Sequence, residues 1–116
     1  MIFCLVRKKK NFINLIKKFI SFHDLVIVSD YGHGLISEKI SKIISNSSKY
    51  VALNAQINAS NVGYHTMKNY KNIDCVIINQ KELQHEMRDR NSKIEILMNK
   101  LSSQQKIKDL VVTRGI

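Results

Sequence analysis

Four short apolar runs limit the folds open to this chain more than any other feature: Leu25-Val26-Ile27-Val28, Tyr50 to Leu53, Cys75-Val76-Ile77-Ile78 and Leu110-Val111-Val112. They are rich in β-branched residues and do not alternate with polar ones, which is the pattern of strands buried on both faces. Three of them follow an aspartate: Asp24, Asp74 and Asp109. Between the runs the apolar spacing turns helical. Ile40, Ile43 and Ile44 define one face of a helix starting near Ser37. A helical turn is expected near Thr66 to Tyr70, a helix over Gln80 to Arg88, and another carrying Ile94, Leu97, Met98 and Leu101. Ahead of the first run, Phe12, Leu15, Ile16 and Phe19 recur at helical spacing, with Lys17 and Lys18 turned away. Asn54 to Tyr64 is polar, contains glycine and reads as a loop.

Strands alternating with helices predict an α/β fold: a mostly parallel sheet of about four strands, joined by right-handed crossovers, with flanking helices. With 116 residues there is room for one domain, divided into a basic amphipathic helix region, 1–20, and a βαβα core segment, 21–116. Parallel strands need helices on both faces, and no helix follows the last strand, so the sheet is expected to be unfinished. A hydrophobic content of 44% beside 24% charged residues suffices for a small core.

The same composition excludes several classes. No run of 18 or more apolar residues occurs, so no membrane span is expected. Ile2 to Val6 precedes the basic run Arg7 to Lys10, the reverse of a signal peptide's order. Cys4 and Cys75 form neither a disulfide framework nor a metal motif. Cys75 lies in an apolar run, where a buried, reduced thiol is expected, in keeping with a cytoplasmic protein. The net charge of +10 favours anionic partners, and Arg7, Lys8, Lys9, Lys10, Lys17 and Lys18 crowd the first stretch. The basic run Arg7 to Lys10 lacks interleaved aromatics and glycines for base stacking. Solvated lysines account for it without a specific nucleic-acid surface.

Ligands of open α/β sheets bind at the carboxyl ends of the strands, and three polar clusters fall there. Asp30-Tyr31-Gly32-His33-Gly34 offers a carboxylate and glycines that let a backbone approach a ligand, or else a plain turn. Asn79-x-x-Glu82 reads first as a capping box, which is compatible with a helix start that favours phosphate. Thr113-Arg114-Gly115 ends the fourth run. His23, His33, His65 and His85 show no metal-ligand spacing. Neither a Walker phosphate loop nor a G-x-G-x-x-G fingerprint nor a nucleophile elbow is present.

In this order the clusters resemble the ribokinase-like (PfkB-type) carbohydrate kinases. D-L-V-I-V-S-D-Y-G-H-G-L-I, Asp24 to Ile36, is similar to the strand and loop beside the sugar site, above all in heptose-phosphate kinases. N-Q-K-E, Asn79 to Glu82, matches that family's N-x-x-E motif, and V-V-T-R-G, Val111 to Gly115, the turn opening its nucleotide site. The resemblance implies an internal segment of a partial ribokinase-like fold, from an ATP-dependent, Mg²⁺-requiring phosphotransferase acting on an alcohol group of a sugar or sugar phosphate. It implies that Asp30, Gly32 and Gly34 lie near the acceptor. Asn79, Glu82, Thr113 and Gly115 would lie near the nucleotide phosphates, with Glu82 meeting Mg²⁺ through water. The family's G-A-G-D motif, with the general-base aspartate, does not occur in this sequence, so the chain is expected to be inactive alone. Where relatives carry D-P-K, this sequence has Asn54-Ala55-Gln56 and a polar stretch to Tyr64, which implies a different acceptor. The alternative from composition is a non-catalytic basic module that binds nucleic acid or an anionic surface. An unfinished sheet further implies exposed apolar surface, marginal stability, and aggregation or dimerisation.

Overall fold

The computed structural model of the protein describes residues 2–47, 49–56 and 67–115, with side chains from residue 8 onward. Its elements are α1 (Ile2–Ser21), β1 (Leu25–Asp30), α2 (Glu38–Ser45), β2 (Tyr50–Ala55), a 3-10 turn (Met67–Asn69), β3 (Cys75–Asn79), α3 (Gln80–Glu86), α4 (Ile94–Gln105) and β4 (Asp109–Thr113). All four apolar runs are strands. They pair in the order β1-β2-β3-β4, and every pairing is parallel, so this is an α/β fold on a four-stranded parallel sheet. Asn54 and Ala55, expected to open a loop, extend β2. The rest of the expected loop, 57–64, and the start of the helical turn at Thr66 lie outside the described residues.

The aspartates that lead the strands fasten the sheet's amino-terminal edge. The Asp74 carboxylate accepts the Val51 N–H at 2.9 Å through Oδ2 and the Lys108 ammonium at 2.6 Å through Oδ1. The Asp109 N–H donates to the Asp74 carbonyl at 2.9 Å, and the Tyr50 hydroxyl donates to Asp109 Oδ2 at 2.9 Å. One side chain thus ties β2, β3 and the entry to β4.

The core lies on one face of the sheet. Val28, Val51, Leu53, Ala55, Val76 and Ile78 point into it, where they meet Ile40 and Ile44 of α2, Leu83 of α3, and Ile94, Leu97 and Leu101 of α4. The expectation that the strands are covered on both faces is not met. The alternate residues open outward: Ile27 is 71% exposed, Leu25 49%, Val111 48%, Tyr50 42% and Ile77 38%. Topology is the reason. A right-handed crossover puts its helix on the side set by the direction of winding, and four strands laid down in sequence order wind one way only. The crossover helices α2, α3 and α4 therefore fall on the same face, and α1, which precedes β1, packs against the same core.

Cys75 shares the outward set, so it is a half-exposed free thiol instead of a buried one. The helical reading of 1–20 holds, but α1 turns differently from expectation. Phe12, Ile13, Ile16 and Ile20 pack against the core, while Leu15 and Phe19 are 50% and 56% exposed. The apolar sector of this helix is wider than the neighbouring elements can cover, and the isoleucine side wins. Among the described residues no helix is long and apolar enough to cross a membrane.

Candidate functional site

Parallel pairing sends Asp30, Asn79 and Thr113 to the same rim of the sheet, since they are the last residues of β1, β3 and β4. Asn79 lies directly opposite Thr113 in the register, so those two are immediate neighbours. Asp30 stands two strands away from Asn79, about 10 Å by the usual interstrand spacing. The rim brings together the Asn79–Glu82 and Thr113–Gly115 clusters and sets the Asp30 cluster apart, across β2.

Asn79 is both the last strand residue and the cap of α3. Its side-chain oxygen accepts the Glu82 N–H at 2.8 Å, and Glu82 Oε2 accepts the Asn79 N–H at 3.0 Å. The capping box offered by the spacing is therefore made, and it fixes Glu82 at 8% exposure against the rim. Thr113 and Gly115 are exposed, and a side chain added at Gly115 would meet nothing within 4 Å. Gly115 is thus a place where another group can come close.

Asp30 is engaged inside the fold. It is 5% exposed, accepts the Gly32 N–H at 2.9 Å through Oδ1, and accepts the Tyr70 hydroxyl through Oδ2. Burial, and then the bond to Asp30, push the Tyr70 hydroxyl's pKa well above its ordinary value, so it stays a donor. Gly32 and Gly34 sit at φ 72° and 79°, in the left-handed region that side chains avoid, so both glycines are required by the turn itself. The turn reading of this cluster is realised in full, and Asp30 anchors it.

Tyr70 is the partner that spacing did not reveal, because the contact joins residues 40 apart in sequence. A second omission is the flank of α3. An open groove of about 520 Å³ runs from Asn79 and Glu82 past Lys81 and His85 to Arg90. The signal was available as a run of cations at Lys81, Arg88 and Arg90, overshadowed by the denser lysines of α1.

The donor set constrains how a divalent cation could be held. Among the described residues no three His, Cys, Asp or Glu side chains converge as a metal-binding group. Glu82 spends Oε2 on the cap. Magnesium keeps several waters and takes one or two carboxylates plus substrate phosphates. A hydrated ion carried on a phosphate chain would ask for as little as one carboxylate, and Glu82 is the carboxylate that the capping box places at this rim. No family model matches the chain, and no curated protein matches it.

Proposed function

We propose that this chain carries the nucleotide-phosphate end of an ATP-dependent carbohydrate kinase, a cytoplasmic phosphotransferase of ribokinase-like type acting on an alcohol group of a sugar or sugar phosphate. The observation that carries the reading is the shared rim: Asn79 and Thr113 end adjacent parallel strands in register, with Glu82 locked beside them. Phosphoryl transfer asks a protein mainly for positioning and charge neutralisation, and a rim of polar strand ends is where an α/β sheet offers them. In this reading the Asn79 side chain and the Thr113 hydroxyl orient phosphate oxygens, and Glu82 holds a water of the metal shell. Bound Mg²⁺ would supply charge neutralisation. The acceptor would approach along the Tyr31–Leu35 turn, whose shape Asp30 maintains.

Titration of the chain with ATP, with and without Mg²⁺, tests this. Saturable binding that requires Mg²⁺ and weakens about tenfold, or about 1.4 kcal/mol, in Thr113→Val and in Glu82→Gln is the expected result. Thr113 takes no part in the cap, so its variant separates ligand loss from unfolding of α3. ATP binding that ignores both Mg²⁺ and the two substitutions overturns the reading.

A second reading rests on the exposed lysines Lys8, Lys9, Lys10, Lys17 and Lys18 of α1. It makes the chain a basic module for nucleic acid or an anionic surface, and predicts affinity that falls linearly in a log–log plot against salt.

A further inference from the structure

Two depressions, of about 520 and about 600 Å³, adjoin along α3 and share Gln84, His85 and Arg90. The larger extends away from the strand rim to Arg88 and Asn91. Two carboxylates line this groove, Glu82 and Glu86, and Asp89 lies in the turn between Arg88 and Arg90; each accepts main-chain N–H groups. Glu82 Oε2 accepts the Asn79 N–H at 3.0 Å, and Glu86 Oε2 accepts the Met67 N–H at 3.4 Å. Asp89 accepts the N–H groups of Asn91 and Ser92, both at 3.0 Å, and the Ser92 hydroxyl at 2.7 Å. The cations are left over. Among the described residues no ion pair reaches Lys81, Arg88 or Arg90.

The turn that carries them is held in shape before any ligand arrives. Gln84 Nε2 donates to the Arg90 carbonyl at 3.4 Å, and Arg88 takes a left-handed φ of 52°. Two guanidinium groups at a concave surface, neither of them in an ion pair among the described residues, match the forked geometry that phosphate oxygens accept. The volumes are those of small-molecule sites. Among the described residues no Phe, Tyr or Trp lines either depression, so the described lining offers a nucleic-acid strand no surface on which to stack its bases.

We infer that the α3 groove binds a small ligand bearing two or more linked phosphates, gripped by Arg88 and Arg90 with Lys81 at the rim end. The site needs neither a metal nor phosphoryl transfer; it adjoins the rim of the ATP reading at Asn79 and Glu82, and because that reading is tested at Thr113, outside both depressions, the two can fail separately.

Inorganic pyrophosphate, titrated calorimetrically into the full chain without Mg²⁺, tests it. Saturable binding is expected, weakened at least about tenfold by Arg88→Gln with Arg90→Gln, and less than about twofold by Lys8→Gln with Lys9→Gln, which removes equal charge from α1. Equal weakening by the two pairs means diffuse attraction and overturns the site, as does absence of saturable binding. A single-stranded RNA that displaces pyrophosphate at lower concentration, with a steep salt dependence, also overturns it. Should the arginine pair fail to fold by circular dichroism, amide-shift mapping on the unsubstituted chain decides. Shifts centred on 84–91 uphold the site, and shifts centred on 8–18 overturn it.

Discussion

Asp74 is the residue on which the sheet's amino-terminal edge depends. The Lys108 ammonium, and then the Val51 N–H, hold its carboxyl below the ordinary value of 3.8, and the same pairing raises Lys108. A folded-state value below the unfolded one stabilises the fold fully above the unfolded pKa, and that contribution disappears as pH falls through the lower folded value. Acid below about pH 4 is therefore expected to loosen this edge, and Asp89 and Glu38, also lowered, act in the same direction. Asp74→Ala strands the N–H of Val51, itself 1% exposed, and is expected to cost about 1–3 kcal/mol at neutral pH. Asp74→Asn keeps an acceptor and should cost less. Melting curves of the three proteins from pH 7 to pH 3 check this: the gap between the unsubstituted chain and Asp74→Ala must narrow in acid, toward the gap between Asp74→Asn and Asp74→Ala. A gap that stays constant shows that the carboxylate's charge is irrelevant.

At the scale of elements, α4 carries two of the most deeply buried side chains. Leu97 is 0% exposed and Leu101 1%, and both press on the sheet through the layer completed by Leu83. Leu97→Ala removes methyl groups that nothing else can replace and is expected to cost about 2–5 kcal/mol. Against a total of about 5–15 kcal/mol for a domain, the shift in urea midpoint should be large. A change below about 1 kcal/mol would mean that α4 is not docked as described. This element was legible in the sequence because Ile94, Leu97 and Leu101 repeat at helical spacing. The strands were legible for a similarly local reason, and Asn79-x-x-Glu82 announced a cap that is made. What spacing could not give was relative placement. A continuous apolar run such as Leu25 to Val28 reports that both faces are apolar, which differs from both being covered. The rotation of α1 and the Tyr70–Asp30 bond depend on neighbours distant in sequence, as does the separation of Asp30 from Asn79 across β2.

At the scale of the whole molecule, two opposing features meet: an uncovered apolar sheet face and a net charge of +10. The face itself carries little of that charge. Ile27, Leu25, Ile77 and Val111 stand along it, and Asp109, an acid bonded to Tyr50, lies at its edge. Burying such residues yields about 25 cal/mol per Å² of apolar surface, a short-range gain that salt hardly weakens. Repulsion between two highly basic chains acts over longer distances, but is screened beyond about 10 Å at 0.1 M salt. Low salt should therefore keep the chain dispersed, and rising salt should bring on self-association. Ile27→Lys places a charge where the exposed isoleucine stood and should suppress that association. Its effect on folding should stay within about 0.5 kcal/mol, because a position this exposed contributes little to the core. Light scattering against sodium chloride, from 0.05 to 0.5 M at fixed protein concentration, separates the two forces. If association falls as salt rises, or persists undiminished in Ile27→Lys, then the uncovered face is not what drives the chains together.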